Sequence, residues 1–168
     1  MNTRHCRVIL VVILFALALP SASGARDNHG CTNATLKGDY GFRVVGRGPG
    51  ISSTAVVGIR HFDGAGNLTQ IDFGVTDGLP TPNEVNPATG AFQFRTGETG
   101  TYQVNPDCTG SMEIHLVPPG VPGGVIKIVF VTSNDGQAIH EVVAEFIPPG
   151  ATQRLLSTTY ADDWKLDE

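Results

Sequence analysis

FQFRTGETGTYQVNPDC, residues 92–108, is the stretch that decides how many strands this chain forms. Four of its apolar residues share one parity: Phe92, Phe94, Tyr102 and Val104. A single long strand therefore needs no register slip. Gly97 and the residue after it could instead form a hairpin turn that divides the stretch into two strands.

Outward from this stretch, apolar residues recur at every second position and turn residues bound each run. Further runs of this kind lie near residues 40–44, 57–60, 70–75, 112–116, 126–130, 141–146 and 152–160. Such alternation is typical of half-buried antiparallel strands. The 21 Gly and 11 Pro residues exclude a mainly helical fold, and a net charge of -5 argues against nucleic acid as a partner.

The N-terminal segment has the pattern of a secretory signal. Arg4 and Arg7 precede a 12-residue apolar run, and small residues follow it. We therefore expect residues 1–25 to be a signal peptide, 26–160 a single barrel domain and 161–168 an acidic tail. The expected location is secreted or periplasmic, with no membrane span after cleavage. An uncleaved anchor is the alternative, although the run is short for a span of about 20 residues.

Removal of the signal leaves two cysteines, Cys31 and Cys108. In an oxidising compartment an even pair most simply forms one disulfide, and two free thiols are the alternative. In an up-and-down meander the two cysteines reach the same end only if residues 92–105 form one strand, because a disulfide needs a Cα separation of ~4.4–6.8 Å. That gives eight strands, and an even count lets the last strand close on the first. The predicted fold is an all-β, eight-stranded antiparallel up-and-down barrel, with a two-sheet sandwich as the alternative.

Three motifs carry a resemblance to a known group. They are CTNATLKGDYGF at residues 31–42, FDGAGNLT at 62–69 and GTYQVNPDCTG at 100–110. They resemble sequences of small exported bacterial proteins for which a lipocalin-like (calycin-like, allene-oxide-cyclase-like) barrel is the expected fold. The resemblance implies export, a barrel and the disulfide, ends at about Val121 and carries no catalytic residues.

Strand parity also predicts what faces the interior. Seven aromatic residues fall on the inward parity: Phe42, Phe73, Phe92, Phe94, Tyr102, Phe130 and Phe146. They either form a packed core or line a cavity for an apolar small molecule, and we take them as the predicted ligand-binding residues. The same parity places charged side chains outside: Arg43, Arg60, Asp72, Arg95, Glu113, Lys127, Glu141 and Glu145. We therefore expect Phe94→Asp to prevent folding and Arg95→Asp to be mild.

Chemistry of the catalytic or metal-binding kind has little support in the sequence. Of the histidines, only His61 and His140 share the inward parity. The sequence contains no metal-ligand spacing and no nucleophile motif. No catalytic residue, metal or cofactor is predicted. The predicted function is that of an exported non-enzymatic barrel that binds a small hydrophobic molecule. The alternatives are an isomerase or cyclase acting at the barrel mouth, and a surface interaction protein; oligomeric state is left open.

Overall fold

The fold is almost entirely β-structure. The computed structural model describes residues 30–48, 51–81, 84–116, 123–155 and 157–167. The expected signal peptide lies outside the described residues. A short 3-10 helix, Asn33–Thr35, precedes the strands. The strands are β1 (Lys37–Gly48), β2 (Ile51–Asp63), β3 (Asn67–Thr76), β4 (Leu79–Pro80), β5 (Arg95–Val104), β6 (Thr109–Leu116), β7 (Gly124–Thr132), β8 (Ala138–Ile147) and β9 (Thr158–Lys165). In the ranges given above, no helix has the length and apolar character that crossing a membrane requires.

Eight long strands close into one barrel. Each pairs antiparallel with its neighbours in the order β1, β2, β3, β5, β6, β7, β8, β9, and β9 returns to pair with β1. The two-residue strand β4 only extends the edge of β3 at one end. Closure leaves every long strand paired on both sides, which removes exposed edges. The predicted eight-stranded antiparallel barrel is therefore confirmed, and the sandwich is excluded.

Residues 95–104 form one strand, as the strand count requires, but that strand contains a bulge. Gln70 pairs with Glu98, whereas Asp72 pairs with Arg95, so β5 carries one extra residue between these pairs. Gly97 supplies the positive φ of +83° that the bulge uses. An extra residue reverses the parity of everything before it. Phe94 and Phe92 therefore lie on the outside, 51% and 73% exposed, and their predicted inward orientation is wrong.

The two cysteines meet at the end of the barrel where β1 begins. Cys31 and Cys108 form a disulfide with a Cα separation of 5.0 Å. Nearby, the Cys31 amide donates a hydrogen bond of 3.1 Å to the Pro106 carbonyl oxygen. The predicted disulfide is confirmed, and with it the placement of both cysteines at one end.

The base of the barrel is filled by three aromatic rings in edge-to-face contact. Phe62 lies edge-to-face between Tyr40 and Tyr102, with centroid distances of 5.1 and 4.9 Å. The Tyr40 hydroxyl donates to the Gly136 carbonyl oxygen, and the Tyr102 hydroxyl donates to the Leu36 carbonyl oxygen at 2.9 Å. Backbone acceptors thus satisfy both buried phenols, and no ligand is needed to do so. Burial raises the pKa of Tyr40 to about 12.

The facing of β2 and β3 is the reverse of the sequence prediction. Phe62 and Leu68 are buried and directly opposite each other beside the tight hairpin that joins the two strands. Side chains two residues away on each strand must share their face. Arg60 and Gln70 therefore point inward, as does Asp72. Four β-branched residues of these strands lie on the other face and are fully or partly exposed: Val57, Ile59, Ile71 and Val75.

The last two long strands depart from the prediction for different reasons. In β8, Val143 pairs with Ile128 and Glu145 with Lys127, so Ala144 is an extra residue. This bulge leaves Glu141 buried and Val142 52% exposed. Strand β9 begins at Thr158 and continues past Tyr160 to Lys165, where a loose tail was expected.

We expect the exposed and buried positions at the start of β5 to respond in the opposite way to the sequence expectation. Phe94→Asp should change the free energy of unfolding by ~1 kcal/mol or less, because the ring is half exposed. Arg95→Asp should cost about 3 kcal/mol or more, because it sets a further carboxylate beside Asp72 and Glu98. Urea denaturation of both variants measures the difference. Equal losses of stability would contradict the facing.

Peptide mapping without reductant should recover Cys31 linked to Cys108. Since the bond spans 77 residues of sequence, its reduction should lower the free energy of unfolding by about 4 kcal/mol in the chain-entropy model. Denaturant titration with and without a thiol reductant tests this. Recovery of both residues as free thiols in the absence of reductant would refute it.

Candidate functional site

The half of the barrel away from the disulfide contains a cavity of about 310 Å³. Its apolar walls are formed by side chains from most strands: Phe42, Val44, Val56, Ile114, Leu116, Ile126, Ile128, Val143 and Phe146. Polar and charged groups line the remainder, among them Arg60, Gln70, Asp72, Glu84, Arg95 and Glu141. Thr81, Leu155 and Ser157 from the connecting segments also line it, so the cavity lies at the end with the long connections.

Phe42 forms one side of the cavity because a glycine on the neighbouring strand makes room for it. A Cβ atom at Gly58 would lie 2.6 Å from the Phe42 ring. Any larger residue at that position would displace the ring. The guanidinium of Arg60 stacks on the same ring, with its carbon 4.7 Å from the centroid.

The polar floor of the cavity consists of Arg60, Gln70, Asp72, Arg95 and Glu141, with Glu98 and Asp163 bound behind them. Arg60 is its centre. Its side chain is 2% exposed and donates to groups on three other strands. Nε donates to Gln70 Oε1 at 3.0 Å, and Nη1 donates to Glu141 Oε2 at 2.9 Å and to Asp163 Oδ2 at 2.7 Å. Burial alone would lower the pKa of Arg60, but the adjacent carboxylates raise it above its ordinary value. The guanidinium therefore stays charged.

A second guanidinium, that of Arg95, completes the floor. Nε donates to Asp72 Oδ1 at 3.0 Å and Nη2 donates to Asp72 Oδ2 at 2.7 Å, a bidentate pair. The same Nε also lies 2.7 Å from Glu98 Oε1, but its hydrogen points to Asp72. Glu98 Oε1 therefore has the charge of Arg95 nearby without a hydrogen bond, while Glu98 Oε2 accepts one of 2.7 Å from Gln70.

Several carboxyl groups of the floor hold their protons unusually firmly. Burial, reinforced by Asp72, raises the pKa of Glu98 to about 7. Burial also raises the pKa of Asp163, more than the attraction of Arg60 lowers it, because Glu141 shares that guanidinium. The pKa of Asp72 is raised by burial in spite of its pairing with Arg95. The floor thus contains carboxyl groups that titrate near neutral pH.

Glu84 closes the side of the cavity next to β3. Its carboxylate is buried and accepts hydrogen bonds from the Gly74 amide at 2.7 Å and the Thr81 amide at 2.9 Å, and from the Thr81 hydroxyl. The connection after β4 is held against the barrel wall in this way. Glu84 is an acceptor in the wall of the cavity rather than a free charge at its mouth.

The structure separates the seven aromatic residues predicted to bind a ligand. Phe42 and Phe146 line the cavity. Tyr102 and Phe130 are buried in the core of the barrel. Phe73 contacts both Phe92 and Phe94 on the outer wall, with centroid distances of 5.6 and 6.1 Å.

The predicted orientations of four charged residues and two histidines are also wrong. Arg60, Asp72, Arg95 and Glu141 were expected outside, and they form the floor of the cavity instead. The expected inward orientation of His61 and His140 is wrong. Both are exposed and pair with carboxylates on the surface, His61 with Asp39 at 2.6 Å and His140 with Asp162 at 2.7 Å. No group of three or more His, Cys, Asp or Glu side chains in the described ranges is arranged to hold a metal ion.

Four residues in or behind the cavity wall were not among the predicted site residues: Gln70, Glu84, Glu98 and Asp163. Gln70 and Glu98 could have been found from parity, since Gln70 shares the face of Leu68 and Glu98 that of Tyr102. Asp163 could not, because the end of β9 was placed before it. Glu84 lies in a connection in which periodicity has no meaning.

Comparison with models of protein families gave no match, and comparison with curated proteins gave none either. Among solved structures, the chain is similar to an S-type phycobiliprotein lyase from Guillardia theta. The similarity has a TM-score of 0.44 at 7% identity and covers 81% of this chain and 91% of that chain. A similarity of this level carries no functional information.

Because the pKa of Glu98 is raised in the folded protein, the free energy of unfolding should fall as pH rises from about 4.5 to 7. In that window the unfolded chain has lost the Glu98 proton, whereas the folded protein still holds it. Glu98→Gln removes the titrating group and should flatten the decline by roughly 1–3 kcal/mol. Urea denaturation at several pH values measures it.

Glu113→Gln, a partly exposed position on β6, is the matched control and should keep the wild-type pH profile. A Glu98→Gln profile that parallels wild type would show that Glu98 ionises normally in the folded protein.

Proposed function

We propose that this protein is exported and binds a small, largely hydrophobic molecule in the cavity at the open end of the barrel, without transforming it. The observation that carries the proposal is the cavity itself, about 310 Å³ with ten apolar side chains in its wall and a polar floor. Ligand sites commonly have volumes of about 300–1,000 Å³, mostly apolar linings and a few polar groups that orient the ligand.

The division of the barrel into two halves supports this function. At the disulfide end, Tyr40, Phe62 and Tyr102 fill the interior and leave no room for a ligand. At the other end the side chains diverge around the cavity. A barrel that only had to fold would be filled at both ends, since unfilled volume costs stability.

Of the predicted ligand-binding residues, Phe42 and Phe146 are the ones we propose as direct contacts, because both line the cavity. Tyr102 and Phe130 would support the floor from below. Export to a secreted or periplasmic location is part of the proposal, and the disulfide supports it because such bonds persist in oxidising compartments.

An enzyme of the acid–base type at the same cavity is the second candidate. Charged groups converge there, and Glu98, with its pKa of about 7, has the proton affinity that general catalysis near neutral pH requires. Glu98 is not among the residues that line the cavity, however, and it is covered by Gln70 and Arg95. A group that cannot touch the ligand favours binding over catalysis.

The exposed apolar residues of the outer wall favour a surface interaction as a further candidate. Val57 pairs with Phe73 and Ile59 with Ile71 across β2 and β3, and Phe94 packs beside them. Contiguous exposed apolar surface often marks a contact with another macromolecule.

Two substitutions on adjacent residues test the proposed cavity. Val56 lines it, and Val57 points to solvent. Val56→Trp should weaken binding of the neutral fluorescent probe N-phenylnaphthylamine by about tenfold or more, because the indole occupies the ligand volume. Val57→Trp, the control, should bind it like wild type.

Native mass spectrometry of wild-type protein from its own exported fraction tests the same proposal without a substitution. We expect a co-purifying small molecule that is lost on denaturation. Failure of the wild type to bind the probe, or equal binding by both tryptophan variants, would overturn the proposal.

A further inference from the structure

The hydrogen bonds of the floor narrow the chemistry of the ligand. We infer that the cavity selects apolar molecules that carry a neutral carbonyl oxygen, and that the Arg95 guanidinium donates the hydrogen bond that holds this oxygen. The inference rests on the proposed binding function and adds a class of ligand to it. It follows from which donors of the cavity are already used within the protein and which one is not.

Of the two guanidiniums of the floor, that of Arg60 is engaged by the protein at every nitrogen. Nε donates to Gln70, Nη1 donates to Glu141 and Asp163, and Nη2 donates to Glu141. The side chain is 2% exposed, and its guanidinium lies over the Phe42 ring. Arg60 therefore has no unpartnered nitrogen to offer a ligand.

The guanidinium of Arg95 is used along one edge only. Nε and Nη2, which share that edge, form the bidentate pair with Asp72. A guanidinium is planar and carries five N–H groups, so Nη1 and its two hydrogens lie away from this pair. Among the described residues, no acceptor for Nη1 is present.

Two observations place Nη1 at the surface of the cavity. Arg95 lines the cavity, and its side chain is 15% exposed although it points into the barrel. Within the described part of the chain, the buried side-chain nitrogen and oxygen atoms without a partner are Glu98 Oε1 and Asp163 Oδ1. Nη1 is not one of them. It is therefore unpartnered without being buried, and a ligand atom has room beside it.

Several other donors in the cavity wall are already used. The Thr54 hydroxyl donates to the Val75 carbonyl oxygen, and the Thr81 hydroxyl donates to Glu84. The Gln70 amide donates to Glu98. Arg95 Nη1 differs from these groups because it combines a full positive charge with free hydrogens, which makes it a strong donor for an oxygen acceptor.

The charges of the lining favour a neutral acceptor. They are balanced, with three arginines and three carboxyl groups: Arg47, Arg60 and Arg95, and Asp72, Glu84 and Glu141. Because neither sign is in excess, a charged head group would leave water without gaining a counter-charge of its own, which is costly. A carbonyl oxygen accepts a hydrogen bond without that cost. Long-chain ketones and esters are the class of ligand that fits.

A pair of isosteric ligands tests the inference on the wild-type protein. Methyl heptyl ketone and its methylene analogue have the same shape, and a CH₂ group replaces the carbonyl oxygen in the analogue. In a cavity without a free donor the ketone should bind about tenfold weaker or worse, because its oxygen loses its hydrogen bonds to water. In competition with N-phenylnaphthylamine, we expect the ketone to bind at least as tightly as the analogue.

The infrared spectrum of the bound ketone reports the hydrogen bond directly. With an isotope label at the carbonyl carbon, the C=O stretch should lie at lower frequency than in heptane, because donation from a guanidinium weakens the C=O bond. A stretch at the heptane frequency would overturn the inference even if the ketone bound tightly.

The variant Arg95→Lys assigns the bond to this side chain. Lysine keeps the positive charge, but its single ammonium group is drawn to Asp72 and Glu98 and has no second edge of donors. The ratio of ketone to analogue affinity should fall about tenfold, and the infrared shift should decrease. Arg47→Lys makes the same change at an exposed residue of the lining and should leave both unchanged.

An unchanged ratio in Arg95→Lys, or a reduced one in Arg47→Lys, would overturn the assignment to Arg95. If Arg95→Lys does not fold, the wild-type infrared spectrum still decides whether the hydrogen bond exists.

Failure of the inference is distinguishable from failure of the proposed function. Tight binding of the methylene analogue with much weaker binding of the ketone would overturn the inference and leave the binding function intact. Nonanoate binding tighter than the ketone would show that the cavity selects a charged acceptor, which overturns the neutral class. If the ketone, its analogue and the fluorescent probe all fail to bind, the proposed function is what fails.

Discussion

A guanidinium in the middle of a barrel has to be surrounded by acceptors, and Arg60 meets this demand by reaching across the interior. Gln70 comes from the adjacent strand, whereas Glu141 and Asp163 come from β8 and β9 beyond β1. Removal of any one acceptor would leave part of a buried charge uncompensated, which commonly costs about 3–5 kcal/mol. The floor of the cavity depends on this one side chain, because it joins β2 to acceptors on β3, β8 and β9.

The placement of Arg60 also separates a rigid half of the barrel from an open one. Below it, edge-to-face rings, backbone-bonded phenols and the disulfide hold the base together. Above it, apolar side chains surround a volume that they do not fill. Because the base supplies much of the packing, the open end can keep a cavity without loss of the fold. Proteins often arrange stability and ligand binding in this way, on separate parts of one scaffold.

The architecture was predictable from the sequence because it depends on the cysteines and the turn residues, which do not depend on the correct facing of each strand. The cysteines required an even strand count, and turn residues marked most strand boundaries. The facing of β2 and β3 was not predictable from hydrophobicity, since their β-branched residues lie outside and their polar residues inside. Phe62 and Leu68, adjacent to the hairpin, were the decisive residues, and they were outweighed by longer apolar runs. Pattern analysis assumes that the interior is the more apolar side, an assumption that fails where the interior holds a charged floor.

Bulges were the second source of error, because a single extra residue changes the face of every residue beyond it. Gly97 offered a signal, since a glycine inside a strand often marks a bulge, but Ala144 offered none. Both bulges border the cavity: one lies beside Arg95, and the other lets Val143 and Phe146 both reach the wall. Without the bulge in β8, Phe146 would share the face of Val142 and point to solvent.

The polar floor is a poor choice for stability alone. Well-packed apolar residues in place of a buried ionic cluster are often neutral or stabilising by about 1–4 kcal/mol. The floor also holds carboxyl groups whose raised pKa values, that of Glu98 about 7, record the cost of charging them in the interior. An interior that only had to be filled could have continued the aromatic packing of Tyr40 and Phe62 upward. The cluster lies instead where that packing stops and the cavity begins, which is where an oriented polar surface has a use.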